Sequence, residues 1–197
     1  MSKCVEFFFD FGSPTAYLAW TQLPALCAQT GAQLVYRPLL LGAVFKATGN
    51  QSPVSIAAKG RYMNQDIQRF AKRYGVPLQF NPFFPINTLY LMRAAAGVQL
   101  QQPERLESFI RAIYQAMWVE GKNTGDMAVL SQVLSDAGFD PQNILNLIEQ
   151  DAVKEQLKNN TEQAIQRSVF GAPTMFVAEQ MFFGQDRLDF VREALQA

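Results

Sequence analysis

The amino-acid sequence predicts an α/β fold in which a large all-helical insertion interrupts a small core. Both ends of the chain carry strand patterns, βαβ at the N-terminus and ββα at the C-terminus, whereas residues 55–167 carry helical patterns alone. Hydrophobic residues make up 49% of the 197 positions, which is enough for a sizeable buried core. We therefore expect a core of residues 1–41 plus 169–197 and an inserted helical domain of residues 42–168.

The βαβ unit begins with an apolar, aromatic run over residues 4–11, which predicts a buried strand. Ser13 and Pro14 match the N-cap and the first position of a helix that follows directly. Pro24 lies inside this helix and is expected to kink it, because proline removes a backbone donor and crowds the preceding turn. Residues 33–39 alternate in polarity and predict the second strand.

In the middle of the chain, the spacing of apolar side chains predicts six helices. Asn87 is expected to cap the second of them, and Asp140-Pro141 to open the fifth. Residues 174–178 and 180–183 then predict a β-hairpin, because only a very short connection separates the two runs. Residues 186–195 predict a closing helix.

Charge and composition exclude several classes of function. Lys plus Arg and Asp plus Glu each number 17, so the net charge is zero and gives no support to nucleic-acid binding. Histidine is absent, which excludes a Ser-His-Asp triad and a histidine-ligated metal site, and we expect no metal. The two cysteines, Cys4 and Cys27, form no Cys-x-x-Cys motif and no disulfide scaffold.

The sequence also lacks the pattern of a targeting or membrane-spanning segment. Glu6 and Asp10 interrupt the apolar N-terminal run, which therefore does not match the core of a signal peptide. No window approaches the roughly 18 apolar residues that a membrane-spanning helix needs. We expect a cytoplasmic protein with no membrane partner.

Gly12-Ser13-Pro14 is the first candidate site. A helix that starts here would place Ser13 Oγ among unsatisfied N–H groups that carry a partial positive charge and favour an anion such as a thiolate. The hydroxyl could donate a hydrogen bond to that thiolate, but no histidine base exists to make Ser13 a nucleophile. A simple helix cap is the alternative, because capping serines are common.

Gly171-Ala172-Pro173-Thr174 is the second candidate site. The βαβ…ββα order resembles that of the thioredoxin fold, in which a cis-proline opens the third strand and faces the start of the first helix. Ala172 would then offer its backbone N–H and C=O to an extended peptide. A trans proline that ends the preceding helix is the alternative, because most X-Pro bonds are trans.

Further segments extend the two sites into a pattern that covers essentially the whole chain. They are Phe9-Asp10-Phe11-Gly12-Ser13-Pro14 with Tyr17-Leu18-Ala19, Thr48-Gly49-Asn50, and residues 81–88, 169–176 and 183–188. As an ordered set, they resemble the 2-hydroxychromene-2-carboxylate isomerase family, which is closely related to the kappa-class glutathione transferases. The resemblance implies a thioredoxin-like core, a homodimer, and reduced glutathione as cofactor.

The resemblance also assigns roles at the two candidate sites. Ser13 matches the family's serine that hydrogen-bonds the glutathione sulfur. Ala172, directly before Pro173, matches the residue whose backbone holds the cysteinyl part of the tripeptide. The chain has Ser13-Pro14-Thr15-Ala16 where the disulfide oxidases of the superfamily have Cys-x-x-Cys, so dithiol exchange by that motif is excluded.

Five other residues are implied to bind glutathione. Asn50 and Lys59 match positions that contact it from the helical domain, and Gln185 and Asp186, followed by Arg187, match a turn near its γ-glutamyl end. Glutathione carries an ammonium, which Asp186 could bind, and two carboxylates, which suit Lys59 or Arg187. The alternatives are a turn residue for Asn50, a solvated charge for Lys59, and a helix cap for Asp186.

The expected activity is glutathione-dependent interconversion of 2-hydroxychromene-2-carboxylate and trans-o-hydroxybenzylidenepyruvate, in aromatic catabolism. A kappa-like glutathione transferase, a thiol oxidoreductase and a non-catalytic peptide-binding module are the alternatives. The small aromatic substrate would bind between the two halves of the chain. Candidates for that pocket, or for the helical core instead, are Phe83, Phe84, Asn87, Tyr90 and Trp118.

Overall fold

A computed structural model describes residues 3–197, and this part of the chain forms four strands and nine α-helices. The strands are β1 Cys4–Phe9, β2 Gln33–Pro38, β3 Thr174–Val177 and β4 Gln180–Phe183. The helices are α1 Pro14–Thr30, α2 Leu41–Thr48, α3 Ala57–Tyr74, α4 Leu89–Gln101, α5 Leu106–Tyr114, α6 Met127–Asp136, α7 Pro141–Glu149, α8 Asp151–Gln166 and α9 Leu188–Gln196. A π-helical turn, Gln115–Val119, follows α5, and 3-10 turns span Pro53–Ser55, Pro103–Arg105 and Gln185–Arg187.

The strands form one mixed sheet in the order β2-β1-β3-β4. β1 and β2 are parallel, whereas β3 is antiparallel to both of its neighbours. The two ends of the chain therefore meet at the β1–β3 pair, and α2 to α8 lie between them in sequence. This arrangement confirms the predicted α/β class with a large helical insertion. The exact limits, 1–41 plus 169–197 for the core and 42–168 for the insertion, stay a prediction.

β1 is apolar except for Glu6, because both faces of the sheet are covered. Phe7 and Phe9 belong to the main core, which includes the buried face of α1. Phe8 lies in a second cluster, with Val44 of α2 and Ala164 of α8. Side chains that alternate between the two faces of a strand thus enter two separate cores, which explains the unbroken aromatic run.

Local sequence signals locate most element ends correctly. Ser13 caps α1 by accepting a hydrogen bond from Ala16 N–H, and Asp140 caps α7 in the same way. α1 runs from Pro14 to Thr30 and includes Pro24. Among residues 3–197, no helix combines the length and apolar character needed to cross a membrane.

Several predicted element ends differ from the structure by one or two residues, and one helix was not predicted. β2 ends at Pro38 and β3 at Val177, each one residue earlier than predicted, and α9 ends at Gln196, one residue later. β1 ends at Phe9 rather than at residue 11, because the chain turns at Asp10. The N-cap position of α4 is Thr88 rather than Asn87, although the Asn87 side chain accepts from Leu89 N–H at 3.0 Å. α9 begins at Leu188, after a 3-10 turn, rather than at residue 186. α2 is the helix that the sequence pattern did not reveal.

Candidate functional site

A cleft of about 620 Å³ lies where the start of α1 meets the loop before β3. The segment from α2 to α3 forms one wall, and the turn Gly184–Arg187 forms another. A volume of this size is typical of small-molecule sites. Of the eight predicted site residues, seven line the cleft, namely Ser13, Asn50, Lys59, Ala172, Gln185, Asp186 and Arg187. Pro173 is buried directly behind Ala172.

Ser13 lies at the N-terminus of α1 and is only 5% exposed. Its Oγ accepts from Ala16 N–H at 3.1 Å and donates to the Ala172 carbonyl oxygen at 2.8 Å. The first turn of α1 carries no acidic side chain, so no charge within the helix offsets its positive end. Ser13 is therefore a helix cap whose hydroxyl also faces the cleft, and the two interpretations of this serine are compatible.

The Ala172–Pro173 peptide bond is cis, as the order of the sequence elements predicted. It brings Ala172 opposite the start of α1, 159 residues away in sequence from Ser13. Within the described residues, the Ala172 carbonyl accepts only from hydroxyls, and the Ala172 N–H makes no hydrogen bond. The backbone of this residue is therefore available to an extended ligand.

Thr15 is a polar residue of the cleft that the sequence analysis did not select. Its Oγ1 lies 3.0 Å from Ser13 Oγ and 3.3 Å from the Ala172 carbonyl oxygen. Ser13, Thr15 and Ala172 together form the floor of the cleft, and that name is used for them below. The Ser-Pro-Thr triplet was the available signal, because a second hydroxyl two positions after a capping serine also lies at the helix start.

Asn50 connects the insertion to the loop before β3. Its Nδ2 donates to the Phe170 carbonyl at 2.8 Å, and its Oδ1 accepts from Gln51 N–H at 2.8 Å. Both ends of this amide are thus engaged within the protein. The contact holds the cleft wall in place, and direct binding of glutathione by the Asn50 side chain stays a prediction.

Lys59 lies on the face of α3 that borders the cleft. Met63 and Asp66 follow it at four and seven positions along the helix and line the same wall. Helical spacing from Lys59 was the signal that could have identified both of them. Asp66 also contacts Arg69 at 3.4 Å, and its side chain is 30% exposed.

The turn Gly184–Arg187 supplies one acidic and one basic side chain to the cleft, Asp186 and Arg187. Asp186 and Arg187 form an ion pair, with side chains 37% and 48% exposed. Gln185 is buried, and its carbonyl accepts from the Tyr74 hydroxyl at the end of α3. Lys59, Asp66, Asp186 and Arg187 are called the rim of the cleft below. The rim therefore presents two cationic and two anionic side chains.

Of the predicted aromatic pocket residues, the structure brings Phe84 alone to the cleft. Trp118 is fully buried in the core, where its Nε1 donates to the Phe11 carbonyl at 2.8 Å, and its ring packs on Phe84 at a ring separation of 5.9 Å. Phe83 and Tyr90 are about half exposed elsewhere, and Asn87 contacts the start of α4. The other aromatic side chains of the cleft are Phe45, Phe170 and Phe183.

Asp10 is a buried carboxyl that fixes the turn beneath Ser13. One oxygen accepts from Gly12 N–H at 2.9 Å and from the Thr88 hydroxyl at 2.7 Å, and the other accepts from Leu41 N–H at 2.9 Å. Burial raises the pKa of Asp10, and these hydrogen bonds act in the opposite direction. A Cβ on Gly12 would meet Thr88 at 3.3 Å, so the turn is tightly enclosed.

The two cysteines lie outside the cleft. Cys4 is in β1 and Cys27 is in α1, and both are free thiols. Burial, with a smaller effect of Cys4, raises the pKa of Cys27 to about 11, so this thiol stays protonated near neutral pH. Neither cysteine can serve the site as a nucleophile.

Comparison with known proteins relates this geometry to a family. The DSBA-like thioredoxin domain matches residues 4–196. A 2-hydroxychromene-2-carboxylate isomerase from Sphingobium xenophagum is 34% identical over 197 residues, which cover 99% of both chains. A glutathione S-transferase kappa 1 from Rattus norvegicus is 27% identical over 96% of this chain and 89% of its own.

A solved structure gives the same result for the fold. A 2-hydroxychromene-2-carboxylate isomerase superposes with a TM-score of 0.85 and 30% identity, covering 98% of this chain and 94% of that one. The named relatives are enzymes, either isomerases or glutathione transferases. The chain accordingly belongs to the DSBA-like thioredoxin family, among the enzymes that comprise the 2-hydroxychromene-2-carboxylate isomerases and kappa-class glutathione transferases.

Proposed function

We propose that this protein is a glutathione-dependent isomerase that interconverts 2-hydroxychromene-2-carboxylate and trans-o-hydroxybenzylidenepyruvate. The observation that carries the proposal is the 2.8 Å hydrogen bond between Ser13 Oγ and the Ala172 carbonyl. It brings the expected sulfur-binding hydroxyl and the expected cysteinyl-binding backbone to one point of the cleft. Identity is higher to the isomerases, 31–34%, than to the kappa-class glutathione transferases, 26–28%, which supports the isomerase over the transferase.

The donor set of the cleft is compatible with glutathione. The tripeptide has two carboxylates, one ammonium and one thiol. On the rim, Lys59 and Arg187 could bind the carboxylates, and Asp186 or Asp66 could bind the ammonium. The unpartnered Ala172 N–H suits a peptide carbonyl. Charges of both signs and a free backbone edge are what an extended zwitterionic peptide needs. The individual roles of Asn50, Gln185 and these charged residues are part of the proposal.

When bound, glutathione would supply reversible addition of its thiolate to a conjugated carbon, which allows a double bond to rotate. The protein's part is to favour the ionised sulfur. Ser13 would turn its hydroxyl hydrogen from the Ala172 carbonyl to the sulfur, and the positive end of α1 would lower the energy of the negative charge. The aromatic side chains Phe45, Phe84 and Phe183 would enclose the flat substrate and limit access of water.

The cellular setting is also part of the proposal. A cytoplasmic location suits a reduced glutathione cofactor and the two free cysteines. A homodimer is expected from the family resemblance alone, and light scattering of the purified protein would test it. A dithiol oxidoreductase is excluded by the missing Cys-x-x-Cys motif, and a non-catalytic binding module is set aside because the named relatives are enzymes.

The test is an absorbance time course with 2-hydroxychromene-2-carboxylate, with and without catalytic glutathione. We expect rapid conversion that requires glutathione, with the glutathione recovered unchanged. A parallel calorimetric titration of the protein with glutathione measures binding independently. Binding without conversion would contradict the isomerase and favour a transferase acting on another electrophile, whereas absence of binding would contradict the use of glutathione altogether.

A further inference from the structure

Three oxygen atoms of the cleft floor lie within hydrogen-bond distance of one another. Ser13 Oγ is 2.8 Å from the Ala172 carbonyl oxygen and 3.0 Å from Thr15 Oγ1, and Thr15 Oγ1 is 3.3 Å from the same carbonyl. Two hydroxyl hydrogens are therefore shared among three oxygens. This triangle determines which hydrogen can be turned toward a ligand.

The number of hydrogens limits the arrangement. A serine hydroxyl donates one hydrogen bond and can accept two. Ser13 already accepts from Ala16 N–H, and its single hydrogen is directed to the Ala172 carbonyl. The bond between the two hydroxyls must then be donated by Thr15. In this state Ser13 has no hydrogen left for a sulfur atom, so the expected role of Ser13 requires the arrangement to change.

We propose that Thr15 is a positioning residue whose hydroxyl takes over the Ala172 carbonyl when Ser13 turns its hydrogen into the cleft toward a thiolate. The proposal rests on the proposed use of glutathione. Thr15 Oγ1 already lies between the two partners, so a rotation about one side-chain bond exchanges its acceptor. Both hydroxyls then keep a hydrogen-bond partner, and the Ala172 carbonyl accepts a hydrogen bond in either arrangement.

Burial makes this exchange important. Ala172 is only 8% exposed, so its carbonyl would be poorly hydrated if Ser13 released it. An unsatisfied buried acceptor disfavours the state that contains it. Within the described residues, Ser13 and Thr15 are the two groups that donate to this carbonyl. A carbonyl oxygen accepts two hydrogen bonds, so a backbone N–H of the ligand would satisfy one lone pair and a hydroxyl is still needed for the other. Loss of the Thr15 hydroxyl should therefore oppose the hydrogen bond from Ser13 to the sulfur, and raise the pKa of a bound thiol.

The test compares Thr15→Val, which removes the hydroxyl at nearly constant shape, with Thr15→Ser, which keeps it. The readout is the ultraviolet absorbance of the glutathione thiolate in the binary complex, measured as a function of pH. We expect Thr15→Val to raise the pKa of the bound thiol by about one unit, a tenfold change equivalent to about 1.4 kcal/mol. We expect Thr15→Ser to match the unmodified protein.

Charged groups near the sulfur do not change in this comparison. Lys59 and Asp66 face the cleft from α3, Asp186 and Arg187 face it from the turn before α9, and Asp10 lies behind Gly12. All of them are retained in both variants. S-methylglutathione provides a second control, because it has no ionisable sulfur. Its affinity should be the same for all three proteins, and circular dichroism should show that they are folded.

The same experiment in a Ser13→Ala background separates two roles for Thr15. A positioning role predicts that Thr15→Val has no further effect once Ser13 is absent. An equal shift in that background would mean that Thr15 donates to the sulfur directly, and would overturn the proposal. No shift with Ser13 present would also overturn it, while glutathione binding with a lowered thiol pKa would leave the proposed function standing. Absence of glutathione binding would overturn both.

Discussion

The floor and the rim of the cleft are constructed differently. On the floor, Ser13 and Ala172 are almost fully buried, and backbone groups and hydroxyls hold one another at fixed distances. On the rim, the side chains of Asp186 and Arg187 are 37% and 48% exposed and pair with each other. The floor is therefore preorganised before a ligand arrives, whereas the rim can adjust to it. Substitutions on the floor should change the reaction rate, and substitutions on the rim should change the affinity.

The largest effect is expected for Ser13→Ala. Loss of the hydroxyl removes the donor to the sulfur and should lower kcat about 100-fold, the usual magnitude for one preorganised donor, with little change in KM. The pKa of bound glutathione should rise in parallel. Steady-state kinetics and the thiolate absorbance check the two effects.

Ser13→Ala also removes a helix cap, which should lower the unfolding free energy by about 1 kcal/mol without preventing folding. Urea unfolding separates this structural effect from the catalytic one. Full activity in this variant would mean that the floor does not act on the sulfur.

The second largest effect is expected in the part of the cleft wall beside the floor residue Ala172, which is formed by Phe170, Gly171 and Phe183. A Cβ at Gly171 would lie 2.8 Å from the ring of Phe183, which packs on Phe170 at a ring separation of 4.5 Å. Gly171→Ala should therefore displace that ring and lower the unfolding free energy by about 1–2 kcal/mol, as overpacking usually does. KM for the aromatic substrate should rise, while the pKa of bound glutathione should stay unchanged.

Gly42→Ala is the matched control, because a Cβ there meets nothing within 4 Å. Gly42 lies in α2, so alanine should increase stability by about 0.5–1 kcal/mol. Equal stability of the two variants would show that Phe183 moves aside at no cost, and that the wall is less rigid than its packing indicates.

A smaller effect is expected on the rim. Asp186→Asn removes the charge expected to bind an ammonium, and should raise the glutathione Kd about fivefold, or about 1 kcal/mol, with kcat unchanged. Isothermal titration at low and high salt checks this, because screening should reduce the difference. Asp189→Asn is the control, since Asp189 is 87% exposed, pairs with Arg192 and does not line the cleft. An equal loss of affinity in both variants would point to general electrostatics rather than to a rim contact.

The floor was also easier to predict from sequence than the rim and walls. Ser13 and the Ala172–Pro173 turn carry strong local signals, a cap at a helix start and a proline before an apolar strand, and the structure brings both to one point. Asp66 could be identified only through its helical spacing from Lys59, and Phe45 reaches the cleft through tertiary packing, for which a single sequence has no local signal. The individual binding roles stay predictions.

The missed helix α2 has the same physical explanation. Its N-terminus has no side-chain cap of its own, and the helix is eight residues long. Leu41 N–H instead donates to Asp10, 31 residues earlier, at 2.9 Å. A helix stabilised at its start by a distant carboxylate lacks the pattern by which helices are recognised. Trp118 is the opposite case. Its aromatic character predicted a pocket residue, but the ring is fully buried in the core, with its N–H satisfied by the Phe11 carbonyl.

The smallest effect on glutathione binding and turnover is expected for a residue outside the cleft. Glu6 of β1 contacts Arg37 at 2.8 Å and Arg167 at 2.7 Å. Burial acts to raise the pKa of Glu6, but the hydrogen bonds and charges of the two arginines prevail and hold it below 4.5. A carboxyl with a lowered pKa in the folded state stabilises the protein above its unfolded pKa. That contribution is lost as the pH falls through the folded value.

Glu6→Gln should therefore lower the unfolding free energy by about 1 kcal/mol at pH 7 and make little difference below about pH 3. Urea unfolding from pH 7 to pH 3 measures this, with the exposed Glu162→Gln as a control of equal charge change. Glutathione affinity should be unaffected, because Glu6 does not line the cleft. A stability difference that persists at low pH would mean that packing, rather than charge, holds the sheet at Glu6. A loss of glutathione affinity would mean that the floor depends on the sheet beneath it, and that it is not preorganised by its own hydrogen bonds alone.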